Sequence, residues 1–267
     1  MIPQEQPPKV RINYEPSKTG LKIHTAKQQG GVIGVGGPVG TGKSVMMCNE
    51  LLRTAICQAP FEGVRRTKFG IVRNTYPELK TTTVATWLRW VPEELGRITY
   101  GSPITHILKF NLEDGTRVEC TVYFLAMDND EDVKKLKSFE FTKIWFNEAS
   151  ELQKAFIDAA TARLPRYPDK DLGGASEWGV LLDTNMPDEE HWIYELFEVM
   201  RPKGYVLYKQ PPAIIKVLDD KGEWTGEWEG NPDAENVQNH INGYNYWLDQ
   251  IPGKDPGYIR VFLEGKY

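Results

Sequence analysis

The sequence has few cysteines, no long apolar run and no excess of positive charge. Three cysteines, Cys48, Cys57 and Cys120, occur in 267 residues. The number is odd and the spacing fits no metal-ligand pattern. That argues against a disulfide scaffold or a zinc site and fits a reducing compartment. No apolar stretch is long enough to cross a bilayer, and the opening MIPQEQPPKVRINYEP has no apolar centre of the kind a signal peptide needs. Neither a membrane nor secretion is therefore expected. The net charge is −5 and the isoelectric point is near 5.6. Proteins that grip nucleic acid statically are usually basic, so any such contact here has to be local or transient. No internal repeat is visible.

What is present is enough apolar material, 40% of residues with 11% aromatic, for one large domain or a domain with a small appendage. Residues 1–29 carry Pro3, Pro7, Pro8 and Pro16 and read as an N-terminal arm, either loose or lying on something. GGVIGVGG reads as a buried strand, KSVMMCNELLRTAICQA as a helix and KFGIVRN as a second strand. TTTVATWLRWV reads as a helix. THILKF and RVECTVYFLA flank Asp114-Gly115 as a hairpin, with Val118, Cys120, Val122 and Phe124 on one face. TKIWFNE and GVLLDTN are two further core strands. ELQKAFIDAATARL and DEEHWIYELFEVM read as the helices that follow them. Strands alternating with helices predict an α/β layered fold with a mainly parallel sheet over residues 30–210. From about Pro211 the pattern weakens, and 211–267 is expected to form a small separate subdomain.

GPVGTGKS, Gly37 to Ser44, matches G-x-x-x-x-G-K-[ST] at every fixed position, between a strand and a helix. The spacing has a chemical reason. Gly37, Gly40 and Gly42 let backbone N–H groups, Thr41 included, wrap phosphate oxygens without Cβ clashes. The helix N-terminus adds positive potential. Lys43 is placed for the β- and γ-phosphates and Ser44 for Mg²⁺. The expected ligands are ATP and Mg²⁺.

KIWFNEASEL poses the main question. A hydrolytic strand commonly ends in Asp-Glu, one acid for Mg²⁺ and one for water. Here Asn147 stands in the first place and Glu148 in the second. Glu148 can orient or deprotonate water. Asn147 can reach Mg²⁺ only through a bound water and adds no charge. The plain alternative is a core strand ending in a solvated Asn-Glu pair. Asp183, Thr184 and Asn185 stand where the next strand leaves the sheet, and ligands bind at such carboxyl ends. They read as a γ-phosphate sensor or, equally well, as a helix cap.

Phosphoryl transfer also calls for an arginine. Arg163 and Arg166 in TARLPRYP, and Arg73 at a strand end, are the candidates, each of which could instead be a solvated or paired surface arginine. In DNDEDVKKLKS the acids come first and Lys134, Lys135 and Lys137 last, an order that favours a helix by itself and leaves DNA contact as the lesser reading.

Together GPVGTGKS, RNTYPELKTTTVATWLRWVP, LAMDNDEDVKKLKSFEFTKIWFNEASEL, ARLPRYP and GVLLDTNMPDEEHWIYELF resemble the large terminase subunit of tailed bacteriophages, a DNA-packaging ATPase. The resemblance covers nearly everything after the arm. It implies a RecA-like P-loop ATPase core with a lid subdomain. The implied partners are double-stranded DNA, a portal on a procapsid, a small terminase subunit and further copies in a ring, commonly a pentamer, in the host cytoplasm. It implies Glu148 as the catalytic acid, Asp183–Asn185 as the coupling motif and an arginine finger, Arg163 or Arg166, often given by a neighbouring subunit. An adenine-contacting glutamine would be Gln28 or Gln29. Full-length members continue into a nuclease domain about where Tyr267 falls, so no DNA cleavage is expected of this polypeptide. A helicase-like ATPase and a nucleotide-binding assembly module that does not hydrolyse are the other readings.

Overall fold

The computed structural model describes residues 12–129 and 131–267. The strands are β1 (Gln29–Gly36), β2 (Val64–Arg73), β3 (Gly96–Thr99), β4 (Ile104–Asn111), β5 (Arg117–Ala126), β6 (Lys143–Phe146), β7 (Trp178–Thr184) and β8 (Tyr205–Lys209). They form one sheet in the order β3-β4-β5-β2-β6-β7-β1-β8. From β5 to β8 every pairing is parallel, while β3 and β4 add an antiparallel edge. The α/β class is as expected, with a mixed rather than purely parallel sheet. The central strands are apolar on both faces, as strands covered by helices on either side must be.

The hairpin forms as read. Val118, Cys120, Val122 and Phe124 are all buried, and β4 pairs with β5 from Ile104↔Phe124 to Asn111↔Arg117. Helix α2 (Lys43–Cys57) buries Met46, Met47, Cys48, Leu51, Leu52 and Ala55 on the sheet. In the same cluster lie Trp145 of β6 and Leu181 of β7, whereas Ile144, Phe146, Val180 and Leu182 belong to the cluster on the opposite face. By strand alternation, Asn147 and Asp183 therefore point to the α2 side.

Three readings change. The described part of the arm contains a helix, α1 (Lys18–Thr25), capped by Ser17 and buried through Ile23; residues 1–11 lie outside the described part. The helix expected from Glu151 starts only at Lys154, because Glu148 takes a left-handed conformation (φ 51°) and the chain makes a single tight turn at Ala149–Glu151 first. The short strands β3 and β8 carry too few residues to show a period, and only pairing reveals them. Beyond β8, Ile214–Leu218 (β9) and Trp224–Gly230 (β10) pair as a separate two-stranded sheet. Ala213, Ile214, Trp247 and Leu263 form a small core of their own.

Candidate active site

The parallel sheet places the ends of β1, β7 and β6 side by side, with Gly36 paired to Thr184 and Phe146 to Leu182. The phosphate loop leaves β1 directly above the residues that follow β6 and β7. A cleft of about 290 Å³ there is lined by Gly40, Gly42, Lys43, Ser44, Glu148 and Asn185, among others. Residues read separately from three motifs thus meet in one place.

The Lys43 ammonium is almost wholly buried. It donates to Gly37 O (3.0 Å), Pro38 O (2.6 Å) and Asn185 Oδ1 (3.0 Å). Burial lowers its pKa, against which the negative charges of Glu148 and Asp183 work. Asn185 in turn donates to Glu148 Oε2 at 3.2 Å. One amide therefore bridges the phosphate-loop lysine and the candidate acid. Burial pushes the Glu148 carboxyl up to about 7, with the Asp183 charge adding to the rise and Lys43 and Arg73 opposing it. A carboxylate in that range is suited to accept a proton near neutral pH. A non-glycine residue at positive φ costs about 1–3 kcal/mol and persists where the surrounding structure enforces it, most often at functional sites.

Ser44 Oγ donates to Asp183 Oδ2 at 2.7 Å. Asn147 Nδ2 lies 3.1 Å from Ser44 Oγ and 3.1 Å from both Asp183 oxygens. Trp145 Nε1 donates to Asp183 Oδ1 at 2.7 Å. The Asn147 oxygen, read as the contact to a metal-bound water, instead accepts from Thr83 Oγ1 at 2.7 Å. Asp183 is not a helix cap; the cap of the following helical turn is His191, which accepts from Ile193 N. Thr184 is buried, and its carbonyl accepts from Gly37 N at 3.3 Å, tying β7 to the loop.

Arg73 ends β2 at the same end of the sheet. Its guanidinium is buried, paired to Glu151 at 3.2 Å, with Nε and Nη1 lacking hydrogen-bond partners among the described residues. Arg163 and Arg166 are elsewhere. Phe141 N donates to Arg163 O and Arg166 N to Phe141 O, which sets both at the N-terminal end of β6, away from this cleft. Gln28 and Gln29 are also at the far end. Gln28 is buried and donates to Val180 O at 2.9 Å, so the adenine role read for it has no geometric support here.

The family of the chain follows from comparison. A model of the terminase large subunit, T4likevirus-type, N-terminal, matches residues 35–203, more than half of the chain. The chain belongs to the large terminase family. The large terminase of a thermophilic bacteriophage superposes with a TM-score of 0.62 at 15% identity, covering 94% of this chain and 53% of that one. The same phage protein in complex with ADP gives 0.55 at 17%, covering 72% and 45%. The HK97 bacteriophage large terminase gives 0.59 at 12%, covering 100% and 52%. At such identities the likeness is one of fold. The chain spans about half the length of these terminases. No curated protein matches it.

In this terminase region the phosphate loop is also held from its other side, by residues that the sequence did not single out. Trp247 Nε1 donates to Val39 O (2.7 Å), Asn236 Nδ2 to Thr41 O (2.6 Å), and the His240 ring meets Gly40 O (2.9 Å). Val39 N donates to Phe262 O, and the Val39 side chain joins the small C-terminal core. Thr41 Oγ1 lies 2.6 Å from Gln210 Oε1, and Gln210 Nε2 donates back to Thr41 O and to Glu235 Oε2. The Thr41 hydroxyl is therefore turned to Gln210, away from the cleft. Glu235 reaches further, accepting from Ser17 and Thr19 of the α1 cap. A Cβ on Gly40 would come within 2.5 Å of Tyr246, so glycine is required there by contact as well as by its positive φ.

Proposed function

We infer that this chain is the ATP-hydrolysing motor part of a large terminase, driving double-stranded DNA into a procapsid. The observation that carries the reading is the convergence of Lys43, Ser44, Glu148 and Asn185 on one cleft. Gly40, Thr41 and Gly42 offer backbone N–H groups to phosphate oxygens, while the Gly37 N–H is used on Thr184 O to tie the loop to β7, and Lys43 offers its charge. Mg²⁺, seated at Ser44, would neutralise the phosphates and the charge that develops on transfer. Glu148 orients the attacking water and takes its proton. Asn185 is the one side chain among the three partners of Lys43. A γ-phosphate oxygen reaching Lys43 competes with Asn185 first, and the amide that loses this contact is the one bound to Glu148. Asp183–Asn185 thus couple phosphate occupancy to the acid. Arg73 is the candidate finger within the chain, and Arg163 or Arg166 the candidate given to a neighbouring subunit in a ring.

Double-stranded DNA, the portal, the small subunit and a pentameric ring follow the family and are part of this proposal. An acidic subunit suits a motor that must release DNA in every cycle, since avidity can come from subunit number. The test is steady-state ATP hydrolysis by wild type and Glu148→Gln, with and without DNA and procapsids. Turnover should fall by at least about 100-fold in the variant, the scale of general-base catalysis, with ADP affinity retained. Equal turnover in both proteins under all conditions would favour a nucleotide-binding assembly module, the reading that Asn147 suggests.

A further inference from the structure

The residue standing at the usual metal-anchoring position, Asn147, has no charge, and its oxygen is turned away toward Thr83. The adjacent strand supplies what it lacks. Asp183, one residue from the end of β7, is fully buried. Every hydrogen bond it accepts comes from a neutral donor, Trp145, Asn147 or Ser44. Among the ion pairs of the described residues none within 4.0 Å involves Asp183, and Lys43 acts on it only through space. An unpaired buried carboxylate is costly unless a cation offsets it. One oxygen, Oδ2, already holds Ser44 Oγ, the hydroxyl that a P-loop gives to Mg²⁺.

We propose that Asp183 is the carboxylate that positions the nucleotide's divalent cation, its function moved from the end of β6 to the end of β7. Sheet order makes the move possible. β7 lies between β6 and β1, so the β7 end is nearer the phosphate loop than the β6 end is. Both Asn147 and Asp183 face α2, in whose first turn Ser44 lies. Asn147 then acts as a bracket. Thr83 fixes its oxygen, so its NH₂ points at the carboxylate and at Ser44; the reverse amide orientation would set an oxygen against Asp183. Asp183 acts as a positioning residue, through the Ser44 hydroxyl and the water that Mg²⁺ retains. No group of three or more His, Cys, Asp or Glu gathers among the described residues. The cation therefore needs phosphate oxygens too, and its affinity should depend on nucleotide.

The inference rests on the nucleotide-binding reading, and two measurements separate them. ADP binding in EDTA by wild type tests that reading alone. Mn²⁺ binding in the presence of ADP, followed by electron paramagnetic resonance, tests the role of Asp183. In Asp183→Asn the Mn²⁺ affinity should fall about 10- to 100-fold, as for loss of an outer-shell ligand, while ADP binding in EDTA stays within about 2-fold of wild type. The exchange Asn147→Asp with Asp183→Asn returns the charge to β6 and should recover most of the lost affinity, which also serves if the single variant folds poorly. Unchanged Mn²⁺ affinity in Asp183→Asn, an equal loss of ADP binding in EDTA, or failure of the exchange to restore metal binding would each overturn the assignment. Absence of ADP binding by wild type in EDTA and in Mn²⁺ alike would remove the nucleotide reading and this inference with it.

Discussion

The phosphate loop is held on two sides, and the two sides are built differently. On the sheet side a few buried groups each do one task. Lys43 and Asn185 converge on Glu148, and Asp183 holds Ser44. On the C-terminal side, Trp247, Asn236 and His240 bond successive backbone carbonyls of the loop, while Gln210 bonds Thr41. On the first side charged groups touch the loop directly, whereas on the second the bonds to the loop are neutral and the carboxylate of Glu235 is reached only through Gln210. Loss of one buried charge leaves its partner uncompensated, whereas loss of one of several neutral bonds costs about 0.5–1.5 kcal/mol net, or about 1–3 kcal/mol where a buried acceptor is left bare. The sheet side should therefore be brittle and the C-terminal side graded.

The largest effect is expected where the sheet side is anchored. Glu50 on α2 and Lys143 at the start of β6 form a fully buried pair at 2.8 Å, with Arg53 and Glu177 beside them. This pair fixes α2, which carries Ser44, against β6, which leads to Asn147. Lys143→Met should lower stability by about 3–5 kcal/mol, measured by urea unfolding. Burial by itself would raise the Glu50 carboxyl, but hydrogen bonds from Arg53 and His24 and the Lys143 charge outweigh it and hold the pKa well below the usual carboxylate range. A depressed carboxylate contributes stability that is complete above its unfolded value and lost as pH falls. Wild type should therefore lose stability between about pH 5 and pH 2, and Lys143→Met should flatten that slope. A stability within 1 kcal/mol of wild type, as an order of magnitude for a surface pair, would break the contrast.

Next is Trp247→Phe, which keeps a ring in the small C-terminal core and deletes the donor to Val39 O. The carbonyl left bare should cost about 1–3 kcal/mol, read as a lowered melting temperature, with nucleotide affinity reduced less than in any sheet-side variant. The smallest effect is expected from His240→Ala. Its ring is only partly buried and stacks on Tyr246 at 3.9 Å, so about 0.5–1.5 kcal/mol is at stake. If this change abolished ADP binding, the C-terminal side would be as brittle as the sheet side.

Legibility in the sequence followed the range of the interactions. Strands and helices with a full period were readable, as was the hairpin through Asp114-Gly115. The short strands β3 and β8 were not, because four or five residues show no period and owe their form to partners. Val39 stands at an unspecified position of the phosphate-loop pattern, yet it is the loop's contribution to the C-terminal core. Gln210, Asn236, His240 and Trp247 gave no signal, since a side chain that bonds a distant carbonyl belongs to no local pattern.

The sequence by itself determined the phosphate loop, since eight consecutive residues encode a backbone shape and a charge without help from elsewhere. It also marked Glu148 as the candidate acid, since a strand end is enough to place it. The tertiary structure alone decided which carboxylate faces Ser44. Ser44 and Asp183 are 139 positions apart, and they meet because β7 is inserted between β6 and β1 and both side chains turn to α2. Strand order in a sheet is a property of the whole fold, and here it sets a charge where the neighbouring strand has none.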